Sequence, residues 1–319
     1  LKRKLSFILI LALLTLAFTA CKSDSEASSP SSTPSASQLD LGDISAPPII
    51  SSLPDSVPDT VSSGLPEESD KDTLSPVSGE ETNIHVDLTE IQNLDNTKQG
   101  WGQGVQKNDL NQPVGSISYQ EKYGSYDAYF IAGDDPVICL TFDEGYENGY
   151  TASILDTLKE KNVPAVFFCT MPYIKSQPEL VQRMIDEGHT VGSHSTKHLS
   201  FPTMELSDAL DDLQGLHNYM LENYDYKMTL FRFPMGEFSE RTLALAQQLG
   251  YKSVFWSYAY QDWDVNNQFD TATAFDKVTQ NAHNGAIYLL HAVSKTNAEI
   301  LGDVIDSFRE KGFELKLFE

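Results

Sequence analysis

The 319-residue chain carries 46 Asp and Glu against 22 Lys and Arg, a net charge of −24 on an otherwise ordinary composition of 40% hydrophobic residues. That balance excludes nucleic acid as a partner, because phosphates need a basic surface, and three cysteines are too few for a disulfide framework. Half of the charge lies in one stretch, since residues 22–98 hold 15 acidic and 3 basic side chains, a net of −12.

The first element is a targeting segment over residues 1–20. Lys2, Arg3 and Lys4 are followed by an apolar run from Leu5 to Ala17, then Phe18-Thr19-Ala20 and Cys21. The run is short for about 30 Å of hydrocarbon, so a retained spanning anchor is not expected. A cysteine after small residues resembles a bacterial lipoprotein signal, with Cys21 lipidated and the mature chain extracytoplasmic on the cell membrane. Residues 21–85 are rich in Ser, Pro and acidic side chains with few aromatics. Such a stretch cannot bury enough apolar area to offset chain entropy and predicts a disordered, self-repelling tether. Over 86–134, Trp101, Tyr119, Tyr123, Tyr126, Tyr129 and Phe130 return without a clean period, which predicts an irregular extension packed on a main domain over 135–319.

In that domain strand and helix patterns alternate. Apolar runs predict strands at 137–142, 163–169, 190–194, 229–233, 253–258, 286–290 and 313–318. Between them lie period-3.6 faces such as Leu206, Leu210, Leu213, Leu216, Met220 and Ile300, Leu301, Val304, Ile305, Phe308. Glu187-Gly188, Leu249-Gly250 and Lys311-Gly312 read as helix stops. Seven strands and six helices imply a parallel α/β fold, either a barrel or an open sheet. Asp143, His194, Arg232, Asp262 and His291 each fall at or just past a strand's C-terminal end. An open sheet gathers such ends only near a switch point, whereas a barrel gathers them at one mouth. Five contributing strands therefore favour a distorted, incomplete (β/α)7 barrel. Cys139 and Cys169, inside strand runs, read as buried free thiols.

These strand ends carry the parts of a metal-assisted hydrolase. His194 and His198 are four apart, and one helical turn would aim both rings at one ion. His189 lies inside the strand and reads as structural. A third ligand would be a carboxylate, for which Asp143-Glu144 supplies two candidates. Arg232 can hold a carboxylate ionised, Asp262 can orient Arg232 or His291, and Trp263 can wall a sugar pocket. His291 suits a general acid opposite the base.

The set Thr141-Phe142-Asp143-Glu144-Gly145, His194-Ser195-x-x-His198, Arg232-x-Pro234-x-Gly236, Asp262-Trp263 and Leu290-His291 resembles, in order and spacing over 136–319, the polysaccharide deacetylases. These are the NodB-homology domains of carbohydrate esterase family 4. Gly145-Tyr146-Glu147-Asn148-Gly149-Tyr150 and His291-x-Val293-Ser294-x-x-Asn297-Ala298-Glu299 are similar to the delta-lactam-biosynthetic de-N-acetylase group, which acts on muramic acid of peptidoglycan. The resemblance implies a general base at Asp143, a general acid at His291, and Arg232 and Asp262 in support. It also implies a divalent metal, zinc before cobalt or manganese, on His194 and His198, with Glu144 standing where the common pattern has a second Asp. Tyr146, Trp263 and Pro234 are the implied substrate-binding residues. The implied partner is a peptidoglycan glycan strand, reached after an amidase has stripped its peptides. Another acetylated polysaccharide such as chitooligosaccharide or xylan, or a non-catalytic wall-binding lipoprotein, is the alternative.

Overall fold

The computed structural model describes residues 86–318. The expected signal segment, Cys21 and the tether lie outside the described residues. In chain order the elements are Leu88–Ile91 (α1), Gln99–Gly100 (β1), Val114–Tyr123 (α2), Ala128–Tyr129 (β2), Val137–Glu144 (β3), Thr151–Lys161 (α3), Val166–Cys169 (β4), Met171–Ser176 (α4), Pro178–Asp186 (α5), Thr190–Ser193 (β5), Leu206–Tyr224 (α6), Leu230–Phe231 (β6), Glu237–Phe238 (β7), Glu240–Gln248 (α7), Lys252–Val254 (β8), Tyr258–Ala259 (β9), Thr271–Thr279 (α8), Ala286–His291 (β10), Lys295–Glu310 (α9) and Glu314–Leu315 (β11). No helix among the described residues is long and apolar enough to cross a membrane.

Nine strands form one sheet in the order β2-β8-β6-β5-β4-β3-β10-β9, with β11 added on β3. Every pairing in it is parallel, as strand-helix alternation demands. The sheet curls into a half-barrel. The run expected as one strand over 253–258 is two. Its start, β8, pairs with β6, and its end, β9, pairs with β10. One interrupted strand thus reaches both flanks of the sheet, and the break at residues 255–257 is why the barrel is distorted.

Side chains alternate between two cores. Cys139, Val166, Phe168, Leu230, Val254, Ile287 and Phe318 form the small inner cluster. Leu140, Phe142, Phe167, Cys169 and Phe231 face the helices in the larger outer one. Gly192 makes room inside, because a Cβ there would stand 2.6 Å from the Phe168 ring. Cys139 and Cys169 are buried, and neither is in a disulfide among the described residues. The longer helices α6 and α9 contribute apolar stripes to the outer layer, such as Ile300, Leu301, Val304, Ile305 and Phe308 of α9. Ser294 caps its N-terminus by accepting from the Asn297 N–H.

The segment ahead of β3 is built into the domain. β2 joins the sheet beside β8, and β1 pairs antiparallel with β7. Trp101 packs among Tyr119, Phe130 and Phe255, with ring centroids 4.8, 4.6 and 6.5 Å away. Its indole N–H donates to the Trp256 carbonyl at 3.0 Å, which ties the segment to the interrupted strand.

Candidate active site

The register brings Asp143 and His291 side by side. β3 and β10 pair from Ala286↔Ile138 to His291↔Asp143, so both residues end their strands at the same level. Asp143 lies across from Phe168 of the inner cluster and faces the mouth of the curled sheet. Arg232 follows Phe231, which faces outward, and therefore turns inward. Its guanidinium is fully buried. It donates to Asp143 Oδ1 at 2.7 Å and to the carbonyls of Val254 at 2.9 Å and Phe255 at 3.1 Å, and lies 4.1 Å over the Phe168 ring. A buried ion pair is favoured when its other polar groups are also hydrogen-bonded, and these carbonyls engage Nε and Nη2 of the guanidinium. Burial alone would raise the Asp143 carboxyl, but Arg232, with His194 and His291, holds it below the usual carboxylate value.

The two histidines meet through a turn instead of the helical turn that the spacing suggests. Ser195 and His198 take positive φ of 73° and 52°, an uncommon conformation for non-glycine residues that has to be held in place. Asp212 of α6 holds it, accepting from the Thr196 N–H at 2.7 Å and the Lys197 N–H at 3.2 Å, while Ser195 Oγ accepts from the His198 N–H at 2.7 Å. The imidazoles of His194 and His198 are 4.8 Å apart at a steep angle. His194 Nδ1 donates to the Arg232 carbonyl at 2.9 Å, which leaves the lone pair on Nε2, 3.5 Å from Asp143 Oδ2. Burial keeps His194 below the ordinary imidazole value against the pull of Asp143. Burial and the neighbouring His194 push His198 to about 4. Two neutral imidazoles beside an ionised carboxylate place lone pairs against lone pairs, a donor set that suits a divalent cation. The carbonyl on Nδ1 is the orienting contact that imidazole ligands generally have.

Glu144, the expected third ligand, is not with them. It stands across from Cys169 in the register, and Cys169 belongs to the outer core. Successive residues of a strand point to opposite faces, so if Asp143 enters the mouth, Glu144 is directed beneath the helices. It is fully buried, and neither carboxylate oxygen has a hydrogen-bond partner. Burial first, then the charges of Glu147 and Asp143, raise it well above the usual carboxylate value. Among the described residues no three His, Cys, Asp or Glu side chains are arranged as a metal site. The arrangement therefore fits an ion on His194 and His198 with Asp143 as the adjacent acid, and does not fit a Glu144 ligand.

Of the two partners expected for Asp262, His291 is the one it orients. Its Oδ1 is 2.7 Å from His291 Nδ1, and its Oδ2 accepts from the His291 backbone N–H at 2.9 Å. Burial lowers an imidazole, but the Asp262 carboxylate outweighs it and raises His291 above the ordinary value. With Nδ1 engaged, Nε2 is the ring nitrogen left for proton transfer. Two contacts here had gone unread in the sequence. Asn297 of α9 donates to Asp262 Oδ2 at 2.6 Å, and Gln268 donates to the carbonyls of Asp262 and Asp264 at 2.8 and 2.7 Å. Only the place of Asn297 in a motif shared with the de-N-acetylase group pointed toward it. His189 is structural as expected, accepting from the Ala165 N–H at 3.1 Å.

The expected substrate residues sit on loops at the same end of the strands. Tyr146 is exposed, and burial and the Asp264 charge raise its hydroxyl. Trp263 is half-buried, with its indole N–H unpartnered. Pro234 is buried within the turn Pro234–Gly236 and shapes the loop without offering surface. A cleft of about 410 Å³ opens between the loop after Asp262 and the start of α9, lined by Asn148, Tyr150, Gln268, Phe269 and Thr296 among others.

A curled parallel sheet whose strand ends assemble a buried Arg–Asp pair, two facing imidazoles and an Asp–His pair defines the class. The family model for polysaccharide deacetylase matches residues 131–254. A 30.6 kDa protein of Geobacillus stearothermophilus is 42% identical over 218 residues, 67% of this chain and 82% of that one. The peptidoglycan-N-acetylmuramic acid deacetylase PdaA of Bacillus subtilis is 42% identical over 193 residues, 60% of this chain and 73% of that one. The solved structure of PdaA, a family 4 carbohydrate esterase, superposes with a TM-score of 0.67 at 38% identity, covering 70% of this chain and 96% of that one. A family 4 carbohydrate esterase from Bacillus anthracis gives 0.58 at 38% identity over 70% and 95%. The chain belongs to the polysaccharide deacetylase family, the family 4 carbohydrate esterases. It is a hydrolase of that family, whose members generally depend on a divalent metal.

Proposed function

We propose that the protein removes N-acetyl groups from peptidoglycan, acting on N-acetylmuramic acid, with Asp143 as general base and His291 as general acid. The observation that carries this reading is the pairing of His291 with Asp143 at one strand level, each oriented by its own buried partner. The sugar is inferred from PdaA, whose name states that substrate.

A divalent ion at His194 and His198, zinc in our reading, would polarise the acetamide carbonyl and make water more acidic. The protein's own groups do the rest. Asp143, kept ionised by Arg232, accepts the proton of the attacking water as its oxygen bonds to the carbonyl carbon. His291, protonated and held by Asp262, gives its Nε2 proton to the departing nitrogen as the C–N bond breaks. The products are acetate and a free amino sugar. The glycan strand would lie along the cleft beside α9, between Tyr146 and Trp263. A lipid on Cys21 would hold the domain outside the cell membrane, and an amidase that removes stem peptides would act first.

Mass spectrometry of peptidoglycan fragments tests the reading. Loss of one acetyl mass from muramic acid is expected. Loss from glucosamine instead, the substrate named for a Listeria monocytogenes relative 32% identical over 177 residues, would reassign the sugar. Acetate release only from chitooligosaccharide or acetylated xylan would remove peptidoglycan altogether.

A further inference from the structure

We propose that Asn297 is a positioning residue for the reaction, one that locks the Asp262 carboxylate so that its Oδ1 stays on His291 Nδ1, and that Tyr260 in turn locks Asn297. This rests on the reading of His291 as the general acid.

The geometry is a line of four side chains reaching inward from the mouth. Asp262 is 1% exposed and Asn297 2%, so neither can touch a glycan. Without a fixed partner a carboxylate can rotate about its Cβ–Cγ bond and misalign the oxygen facing the imidazole. Asp262 Oδ2 is fixed from two directions, by the His291 backbone N–H at 2.9 Å and by Asn297 Nδ2 at 2.6 Å. The same amide also reaches the His291 carbonyl at 3.2 Å. Asn297 itself cannot flip its amide, because the Tyr260 hydroxyl donates to its Oδ1. Its backbone is pinned as well, the N–H donating to the cap Ser294 at 3.0 Å. Both polar atoms of the Asn297 side chain are thus engaged, Nδ2 on the Asp262–His291 pair and Oδ1 on the Tyr260 hydroxyl that fixes the amide, which mere packing would not require.

The charged and titratable groups bearing on the His291 ring are Asp262, Asp143, Arg232, His194 and His198. Tyr258 and Tyr260 flank Asp262. Among these, Asp262 is the principal group favouring the imidazolium. Anything that loosens or protonates Asp262 therefore lets His291 lose its proton at lower pH. Asn297→Ala removes the amide donor. Asn297→Asp keeps the shape and the Tyr260 contact but sets two carboxylates side by side, and one of them must take up a proton. Both variants move His291 in the same direction.

The test is the titration of the His291 ring by NMR, with the resonance assigned by loss in His291→Gln, alongside kcat and KM against pH. In each folded variant the His291 midpoint is expected to fall by about one pH unit. At pH 8 kcat should drop about 10-fold, the lower end of what losing an orienting contact costs, with KM unchanged. A folded variant, by near-UV circular dichroism, with wild-type titration and kcat would overturn the proposal, even if its melting temperature were lower. Should neither Asn297 variant fold, Tyr260→Phe carries the test: a shift in the same direction supports the chain of contacts, and an unaltered His291 overturns it. The titration needs no substrate, so it can succeed or fail independently of whether the wild type deacetylates muramic acid.

Discussion

Asp143 and Arg232 show how one contact serves both stability and chemistry. The guanidinium keeps the carboxylate ionised where burial alone would neutralise it, and it can do so only because the Val254 and Phe255 carbonyls occupy its other nitrogens. Replacing Arg232 by Met leaves a buried carboxylate without its counter-ion. We expect a loss of about 3–5 kcal/mol in urea unfolding at pH 7, the cost of breaking a buried pair from one side. Asp143→Asn and His291→Ala are each expected to cut kcat by roughly 10²-fold or more in protein that still folds by near-UV circular dichroism. Asp143→Asn should also lower the melting temperature, because the buried Arg232 guanidinium loses its counter-ion. Near-normal acetate release from either would remove it from its role. A chelator should abolish activity and leave far-UV circular dichroism unchanged, with zinc restoring the rate. At this scale the candidate residues were legible because strand-end acids and histidines are few and lie at recognisable breaks in the apolar pattern. The role of Glu144 was not legible, because adjacent residues share a motif but not a face.

Among the elements, the interrupted strand has the widest effect. It joins both flanks of the sheet, and its break lets Trp256, Ser257 and the Trp101 segment meet. The carbonyls that hold Arg232 come from β8 and the first residue past it. Apolar content alone could not reveal the break, since Val254, Phe255, Trp256 and Tyr258 carry apolar character across it with only Ser257 between. The cost of a tight approach appears at the start of β10. Gly285 has φ of +67°, and a Cβ there would fall 1.9 Å from the Gly133 carbonyl oxygen. Ala132 donates to the Gly285 carbonyl and Gly285 to that of Asp135, so neither backbone can retreat without losing hydrogen bonds. Gly285→Ala should lower Tm by roughly 5 °C or more, from left-handed strain plus a backbone collision. A thermal melt within a degree of wild type would contradict this. The helices were read correctly where they present a strong stripe, as in α6 and α9. α2 was missed because it buries only Ser116 and Tyr123, too little for a period to emerge.

For the molecule as a whole, acid should be the weak side. Burial lowers His189 and pushes His283 to about 4, and His198 likewise sits near 4 through burial and His194. Unfolded imidazoles titrate near 6.5, so between about pH 6.5 and 4 the unfolded chain binds protons that the fold refuses, and stability falls as pH falls. His291 and Glu144 act oppositely, since both are raised in the fold and add stability that is lost as pH rises through their raised values, but the lowered imidazoles, His194 and His217 included, outnumber them. In chelator, the urea midpoint should therefore drop steadily from pH 7 to pH 4.5; a flat profile would mean that these imidazoles are not held neutral. The kcat/KM profile should keep its acid limb at low pH, since Asp143 is depressed, and lose activity only as pH rises through the raised value of His291. The alternation of apolar runs with period-3.6 faces was enough to determine a parallel α/β architecture, because that pattern is local and each segment carries it alone. It also determined which residues stand at strand ends. Which of them share the mouth was decided only in three dimensions. The register of β3 sends Asp143 inward and Glu144 outward, and the packing of α9 on the loop after β9 brings Asn297 to Asp262. Both depend on neighbours far away in the chain, and no window of sequence contains them.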